Sequence, residues 1–233
     1  MLFDLDGTLV HHVNPRVLQA LEFLDDCSHR GGRLVARFRL ARRSRAAAQR
    51  APKLLVHKAI HKVRRKSVEE MLVPCATMRS TLERLRAEGV TLGVVSNGLG
   101  CGYGHDVLET FDLRKYFSSA VFREDVARGK PWPDSILVAL RGIGRELRRS
   151  DVIWYIGDQR KDITAAQAAS QAMGRTIRPI ALGARAALGA VEARLSPAQI
   201  MWTPGDFERA VNAAFNAEAN ELSLAASLPA PLL

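Results

Sequence analysis

Two carboxylates stand two positions apart near the start of the chain, in the stretch FDLDGT at residues 3–8. Successive side chains of a strand point to opposite faces, so Asp4 and Asp6 point the same way if the strand continues that far. Two like charges held that close need a cation or a shared proton. The pair therefore predicts acid, base or metal chemistry. The alternative is that Asp6 and Gly7 form an ordinary acidic turn after a strand.

Three further polar stretches each supply a different chemical group. They are SNG at 96–98, GKPWPD at 129–134 and GDQRKD at 157–162. The first offers a hydroxyl and backbone N–H groups, the second a lysine, and the third two carboxylates. Taken singly, each has an ordinary structural explanation as a strand-ending turn, a surface lysine or a helix N-cap.

The elements that would position these groups alternate between short apolar runs and amphipathic segments. Predicted strands are TLGVVS (91–96), AVF (120–122), VIWYI (152–156), PIAL (179–182) and QIMW (199–202). Predicted helices cover 76–88, 105–112, 134–141, 162–173 and 205–216. The alternation predicts an α/β fold, a doubly wound, Rossmann-like parallel sheet. Because ligands bind at the carboxyl ends of such strands, the polar stretches should converge there.

The stretch between the first strand and its next helix is helical in pattern and is long enough for a small inserted domain. We therefore expect a core domain over residues 1–13 and 74–216 and an all-helical cap domain over residues 14–73. The tail at residues 217–233 is rich in Ala, Leu, Ser and Pro, and its composition is compatible with disorder.

The net charge of +10 comes from one segment of the chain. Residues 28–66 hold fourteen Lys and Arg and no Asp or Glu, so the rest of the chain is weakly acidic. This basic segment predicts salt-sensitive contact with polyanions such as nucleic acid, an acidic protein or an anionic membrane surface. Phe38 is the only aromatic residue among these charges, which serves base stacking poorly. A solvated helical face is the alternative.

Length and composition limit the class of protein. The 233 residues, 47% hydrophobic and 25% charged, fit a globular core with a smaller inserted domain. No run approaches the roughly 18 consecutive apolar residues of a membrane span, and the acidic start differs from a typical signal peptide. We therefore expect no transmembrane segment and a cytoplasmic location.

Taken together and in order, the four polar stretches resemble the four motifs of the haloacid dehalogenase superfamily. The insertion after the first stretch is similar to the helical cap of the phosphoglycolate-phosphatase-like branch. The resemblance spans residues 1 to about 182 and is specific only in combination, because each motif alone is weak. It implies hydrolysis of a small phosphorylated substrate with Mg²⁺ as cofactor.

The resemblance assigns roles to the first stretch. Asp4 matches the nucleophile that forms an aspartyl phosphate, and Asp6 matches the general acid and base. Gly7 permits the turn, and the Thr8 side chain would hold that turn by a hydrogen bond.

The second and third stretches match groups that bind phosphate. The Ser96 hydroxyl, with the backbone N–H groups of Asn97 and Gly98, would bind phosphate oxygens. Lys130 would place a positive charge against the phosphoryl group and the nucleophile.

The fourth stretch completes a cation site. Mg²⁺ prefers oxygen ligands and keeps part of its water shell. Asp4, the backbone carbonyl of Asp6 and Asp158 would hold the ion. Asp162 would orient Lys130 or the metal-bound waters, and a role as helix N-cap is compatible with that.

Several activities share these motifs. Dehalogenase relatives lack an acid two positions after the nucleophile, so Asp6 argues against carbon–halogen chemistry, and we expect a phosphomonoester hydrolase. A phosphotransferase similar to β-phosphoglucomutase stays open, as does a polyanion-binding protein that uses residues 28–66. Where the family often continues DGTLVDS, this chain has His11 and His12. We interpret them as ordinary residues of the cap hinge, with a functional histidine pair as the alternative.

Overall fold

The fold is described from a computed structural model. It describes residues 1–13, 68–98, 102–144, 146–148 and 150–227, with side chains described as far as residue 216. Most of the predicted cap domain and the whole basic segment 28–66 lie outside the described residues.

The described strands are short and almost all belong to one sheet. They are β1 (Leu2–Phe3), β2 (Val10–His12), β3 (Leu72–Pro74), β4 (Gly93–Val95), β5 (Ser119–Val121), β6 (Ile153–Gly157), β7 (Ile177–Leu182) and β8 (Ile200–Met201). Six of them form a parallel sheet in the order β5-β4-β1-β6-β7-β8. Leu2 of β1 pairs with Gly93 on one side and Tyr155 on the other, so β1 is central. The predicted parallel α/β sheet is confirmed.

Helices connect these strands. They are α1 (Val68–Met71), α2 (Ala76–Ala87), α3 (Tyr103–Thr110), α4 (Asp134–Gly142), α5 (Arg160–Met173), α6 (Gly183–Glu192) and α7 (Pro204–Ser227). Helix α6 was not predicted. Helix α7 continues to Ser227, beyond the predicted end at residue 216, while residues 228–233 lie outside the described residues. None of the described helices is both long and apolar enough to span a bilayer.

A two-stranded antiparallel ribbon, not predicted from the sequence, stands apart from the sheet. It joins β2 to β3 with His11 opposite Val73. The backbone N–H of Val13 donates to the carbonyl of Met71 at 2.9 Å, which extends the pairing. The ribbon therefore brings together the two ends of the segment in which the cap was predicted.

The core lies on both faces of the sheet. The neighbours Leu2 and Phe3 are fully buried and belong to opposite apolar clusters, as do Val94 and Val95. This is the two-residue period of a strand that is covered on both faces. Each such side chain contributes about 1.5–3 kcal/mol by its burial. Apolar residues thus fix the strands, and the polar residues that follow them are placed at the sheet edge.

Candidate active site

The four polar stretches converge at the carboxyl edge of the sheet. Asp4 directly follows β1, Ser96 follows β4, and Asp158 follows β6, while Lys130 lies in the connection between β5 and α4. The backbone N–H of Asp4 donates to the Ile156 carbonyl at 2.8 Å, which ties the end of β1 to β6. The predicted convergence is therefore what the fold produces.

The centre of the site is a buried lysine between two carboxylates. Lys130 Nζ donates to Asp4 Oδ1 and lies 2.6 Å from Asp162 Oδ1. The three side chains are at most 5% exposed. The ring of Tyr155 lies 5.7 Å from Nζ and excludes water from one side. Burial of a charge at this depth is costly unless it is paired, and here the lysine has two partners.

A reciprocal pair of hydrogen bonds positions Lys130. The Asn97 amide N–H donates to the Lys130 carbonyl at 2.9 Å, and the Lys130 backbone N–H donates to Asn97 Oδ1 at 2.9 Å. The Lys130–Pro131 peptide bond is cis. The sequence predicted a phosphate contact for the Asn97 backbone, but not this function of its side chain.

Asp162 contacts Lys130 and lies in the first turn of α5, but the N-cap of that helix is Gln159, so the predicted N-cap role of Asp162 is corrected to that of the third helical residue. Its Oδ1 contacts Lys130, and it accepts a hydrogen bond from the Tyr155 hydroxyl at 3.3 Å. Its Oδ2 accepts the backbone N–H of Gln159 at 3.0 Å, in the first turn of α5. Gly157 leaves room for this carboxylate, because a Cβ there would overlap it. Both oxygens of Asp162 are therefore engaged by protein donors.

Asp6 lies among hydrogen-bond donors. The Tyr103 hydroxyl donates to Asp6 Oδ1 at 2.5 Å, and the Ser96 hydroxyl donates to Asp6 Oδ2 at 3.2 Å. His12 Nε2 lies 3.4 Å from Asp6 Oδ1. Sequence reasoning missed Tyr103 entirely and interpreted His12 as an ordinary hinge residue. The only sequence signal for His12 was its departure from the family pattern.

The phosphate loop and the first turn differ from expectation in detail. The Gly98 N–H donates to Ser96 Oγ at 2.9 Å, so in this structure it is engaged inside the loop. The buried Thr8 hydroxyl has no hydrogen-bond partner among the described residues. The prediction that it holds the turn is wrong. The turn is closed instead by backbone hydrogen bonds, among them Gly7 N–H to the Val10 carbonyl at 2.8 Å.

Asp158 closes the site next to Gly7. A Cβ on Gly7 would collide with the Asp158 carboxylate, and the φ of Gly7 is +85°. Only glycine meets both conditions without strain. Asp158 Oδ1 is buried and has no hydrogen-bond partner among the described residues.

The pKa values of Asp4 and Asp158 are shifted in the opposite direction to that of Asp6. Burial raises the pKa of Asp4 well above its usual value, and the nearby carboxylates add to this while Lys130 opposes it. Burial, reinforced by Asp162, raises the pKa of Asp158 to about 7. Burial acts in the same direction on Asp6, but hydrogen bonds from His12, Tyr103 and Ser96 outweigh it and lower its pKa.

Lys130 is the positively charged member of this cluster. Burial lowers its pKa, but the charges of Asp162 and Asp4 outweigh that effect and raise it well above its usual value. When the three carboxylates around it are ionised, Lys130 does not neutralise them, and the charges of Lys161 and Arg185 offset only part of the rise in the pKa of Asp158. The region of Asp4 and Asp158 therefore has excess negative charge.

The donor set fits a hard divalent cation. Carboxylate oxygens of Asp4, Asp158 and Asp162 all lie within 4.8 Å of one another. Asp162 is engaged by other donors, which leaves Asp4 and the unpartnered oxygen of Asp158 to hold a cation. Oxygen-only ligands at this charge density are typical of Mg²⁺ sites.

Comparison with known proteins agrees with this geometry. Phosphoglycolate phosphatase of Salmonella typhimurium is 35% identical over 101 residues, which are 43% of this chain and 38% of that protein. The enzyme of the same name from Escherichia coli is 37% identical over 89 residues, which are 38% of this chain and 34% of that protein. The matches thus span little more than a third of the length of these curated relatives.

The fold has solved counterparts. A HAD-superfamily hydrolase from Ehrlichia chaffeensis superposes with a TM-score of 0.54 at 18% identity, covering 90% of this chain and 94% of that one. At this identity the likeness concerns the fold alone. The family model for haloacid dehalogenase-like hydrolases matches residues 1–173, most of the chain. The chain therefore belongs to the haloacid dehalogenase-like hydrolase family.

Proposed function

We propose that this protein is a Mg²⁺-dependent phosphomonoester hydrolase that acts through an aspartyl phosphate on Asp4. The observation that carries the proposal is the buried cluster of Asp4, Lys130 and Asp162 at the carboxyl edge of the sheet, with a second aspartate, Asp6, two positions along the chain. A carboxylate paired with a fixed positive charge suits a nucleophile at phosphorus, and a neighbouring second carboxylate suits proton transfer. Family membership supports the same reaction class.

In the first step Asp4 attacks the phosphorus of the bound ester. The bond from phosphorus to the leaving oxygen breaks as the bond to the Asp4 carboxylate forms, and Asp6 gives its proton to the leaving oxygen. In the second step Asp6 takes a proton from water, which attacks the aspartyl phosphate. Inorganic phosphate leaves and Asp4 is restored.

The groups around Asp4 would neutralise negative charge and orient the phosphoryl group. Lys130 sets a fixed positive charge beside Asp4, so that the anionic nucleophile and the phosphoryl oxygens are brought together at lower cost. Ser96 and the backbone N–H groups of Asn97 and Gly98 would bind phosphoryl oxygens.

The cation would be held by Asp4, Asp158 and the backbone carbonyl of Asp6. When bound, Mg²⁺ supplies neutralisation of the charge shared by phosphoryl oxygens and carboxylates. The buried Asp158 oxygen without a hydrogen-bond partner among the described residues supports this assignment, as does the pKa of Asp158, which burial raises to about 7 despite the opposing charges of Lys130, Lys161 and Arg185.

The substrate class is a small phosphorylated, anionic metabolite. Phosphoglycolate is the first candidate, because curated relatives carry the name phosphoglycolate phosphatase. We further propose the division into a core over 1–13 and 74–216 and a cap over 14–73, in which the basic residues 28–66 attract the anionic substrate. A steep fall in kcat/KM with added salt is expected.

Hydrolysis of 4-nitrophenyl phosphate by the purified chain tests the proposal, with Mg²⁺ and with EDTA, beside Asp4→Asn. We expect metal-dependent turnover that Asp4→Asn lowers at least about 10³-fold, because an amide is no nucleophile at phosphorus. Turnover unaffected by Asp4→Asn would contradict the mechanism. Turnover that requires a sugar bisphosphate would favour a phosphotransferase. Absence of any turnover in a folded sample would favour polyanion binding.

A further inference from the structure

The two oxygens of Asp6 face different surroundings. Oδ2 accepts from the hydroxyl of Ser96, which belongs to the loop that would bind phosphate. Oδ1 accepts from the hydroxyl of Tyr103, which is 3% exposed, and lies 3.4 Å from His12 Nε2. One oxygen therefore faces the place of the phosphoryl group, and the other faces the protein.

We propose that Tyr103 is a positioning residue for the proposed phosphatase reaction. Its hydroxyl anchors Oδ1 of Asp6 and so presents Oδ2 to the leaving oxygen of the substrate. This assignment rests on the proposed function, since it concerns the proton that Asp6 delivers there.

The contact is short and suited to both forms of Asp6. The Tyr103 hydroxyl lies 2.5 Å from Oδ1, within the range of hydrogen bonds from a hydroxyl to a carboxylate. A phenol donates to a carboxylate oxygen and, more weakly, to the carbonyl oxygen of a carboxylic acid, so the hydrogen bond to Oδ1 weakens but remains possible when Oδ2 carries the proton. Oδ2 then exchanges the proton, and Oδ1 holds the rotamer.

The fold places the Tyr103 ring independently of Asp6. Tyr103 begins α3 and belongs to the apolar core cluster that includes Val107 and Leu108. Its ring packs against the phosphate loop, because a Cβ on Gly98 would lie 2.8 Å from Tyr103 Cδ1. The glycine of the SNG stretch therefore also makes room for this ring. His12 lies 3.4 Å from the Tyr103 hydroxyl and limits its rotation.

Dependence on the leaving group separates positioning from a general structural role. Phosphate monoesters of phenols form a series in which 4-nitrophenolate leaves without a proton, whereas the parent phenolate gains from protonation. The ratio kcat/KM reports steps up to leaving-group departure and excludes the later hydrolysis of the aspartyl phosphate. A comparison within one preparation is also independent of the folded fraction.

We expect Tyr103→Phe to lower kcat/KM about tenfold for phenyl phosphate and less than about twofold for 4-nitrophenyl phosphate. Tyr116→Phe is the matched control, because the hydroxyl of this buried tyrosine donates to Glu83 at 2.8 Å, away from the site. Tyr116→Phe should change kcat/KM by the same factor for both substrates. Gly98→Ala keeps the phenol but displaces the ring, and its Cβ would also press on Ser96 Oγ of the phosphate loop, so we expect kcat/KM to fall for both substrates and to fall further for phenyl phosphate.

An equal loss for all leaving groups in Tyr103→Phe and in Gly98→Ala would overturn the assignment and leave Tyr103 a structural residue. If Tyr103→Phe fails to fold, Gly98→Ala alone decides between these outcomes. Failure of the wild-type chain to hydrolyse any member of the series would overturn the proposed function, and this assignment with it. A selective loss for the poor leaving group supports both.

Discussion

Asp4 and Asp6 are two residues apart in the chain, yet the surroundings of their carboxylates are opposite in kind. Around Asp4 lie the carboxylates of Asp158 and Asp162 with a single lysine, and burial raises its pKa. Around Asp6 lie three donors, which lower its pKa despite burial. The same chemical group thus acquires different chemistry from its neighbours. The Asp4 region calls for an added positive charge, and the Asp6 region does not.

The opposite edge of the sheet shows that concavity alone does not identify a site. A cavity of about 780 Å³ lies there, lined largely by apolar side chains such as Leu2, Leu140 and Phe215. Its charged lining residues are Arg148, Asp151 and Arg178, none of which is buried. The buried, mutually close charges at the carboxyl edge instead favour that edge as the place of the proposed reaction.

Removal of the Lys130 side chain should lower both stability and turnover more than the other substitutions below. Lys130→Met removes the positive charge that is paired with two buried carboxylates, Asp4 and Asp162, so we expect the free energy of unfolding to fall by about 3–5 kcal/mol. We expect kcat/KM for 4-nitrophenyl phosphate to fall about 10²- to 10³-fold. Denaturant unfolding and steady-state kinetics measure the two effects.

Arg128→Met is the control for this variant. Arg128 pairs with Asp134 on the surface, and its side chain is 54% exposed. Its loss should leave stability nearly unchanged, since exposed ion pairs contribute little. Equal effects of the two substitutions would contradict the central place given to Lys130.

Asp158→Asn should keep the fold and separate the effect of this carboxylate on stability from its proposed role as a cation ligand. In EDTA at pH 8 we expect the variant to melt roughly 2–8 °C higher than the wild type. The substitution removes the buried charge of Asp158, whose Oδ1 has no hydrogen-bond partner among the described residues. Addition of Mg²⁺ should raise the melting temperature of the wild type and not that of the variant. Wild-type stability that does not respond to Mg²⁺ would argue against the cation site.

The pH dependence of the metal-free wild type follows from the same carboxylate. The pKa of Asp158 is raised from 3.8 to about 7 in the folded chain. Between these values the unfolded chain has lost the proton that the folded chain keeps, so this group lowers stability as pH rises towards 7. Stabilisation by Mg²⁺ should accordingly be greater at pH 8 than at pH 6. Thermal melts over this range, with Asp158→Asn as reference, measure the difference.

The smallest expected effect compares two glycines with positive φ. Gly7 has φ +85° and no room for a Cβ beside Asp158, while Gly89 has φ +72° and nothing within 4 Å. The positive φ costs alanine about 1–2 kcal/mol at either position, and the overlap with Asp158 adds to that cost at Gly7. Only Gly7→Ala should also weaken the Mg²⁺ response and the turnover, because it displaces Asp158. A similar loss of turnover in Gly89→Ala would contradict this explanation.

The sequence predicted the site where local pattern and topology act together. Each polar stretch follows an apolar strand, and a parallel sheet brings all such strand ends to one edge, so Asp4, Ser96, Lys130 and Asp158 could be placed in advance. Helix α2 likewise buries Met78 and Leu82 on the predicted stripe.

What escaped prediction depends on contacts between distant residues or on weak patterns. Tyr103 meets Asp6 across 97 positions, and nothing in its own neighbourhood indicates that contact. The ribbon pairs three-residue strands too short for a periodic signal. Helix α6, GARAALGAVE, contains two glycines, which lower helix propensity, and its buried face consists of alanine and glycine instead of large apolar residues. Thr8 was assigned a hydrogen bond because threonine commonly makes one in turns, whereas here the backbone closes the turn.

The most direct test of the account is to identify the residue that carries the phosphoryl group. Asp6→Asn should slow hydrolysis of the aspartyl phosphate, so that the intermediate accumulates after mixing with 4-nitrophenyl phosphate and Mg²⁺. Borohydride reduction then converts an aspartyl phosphate to homoserine, which peptide mass spectrometry locates. We expect homoserine at position 4 and nowhere else. Its appearance at position 158 or 162, or its absence while 4-nitrophenol is released, would contradict the assignment of Asp4 as the nucleophile.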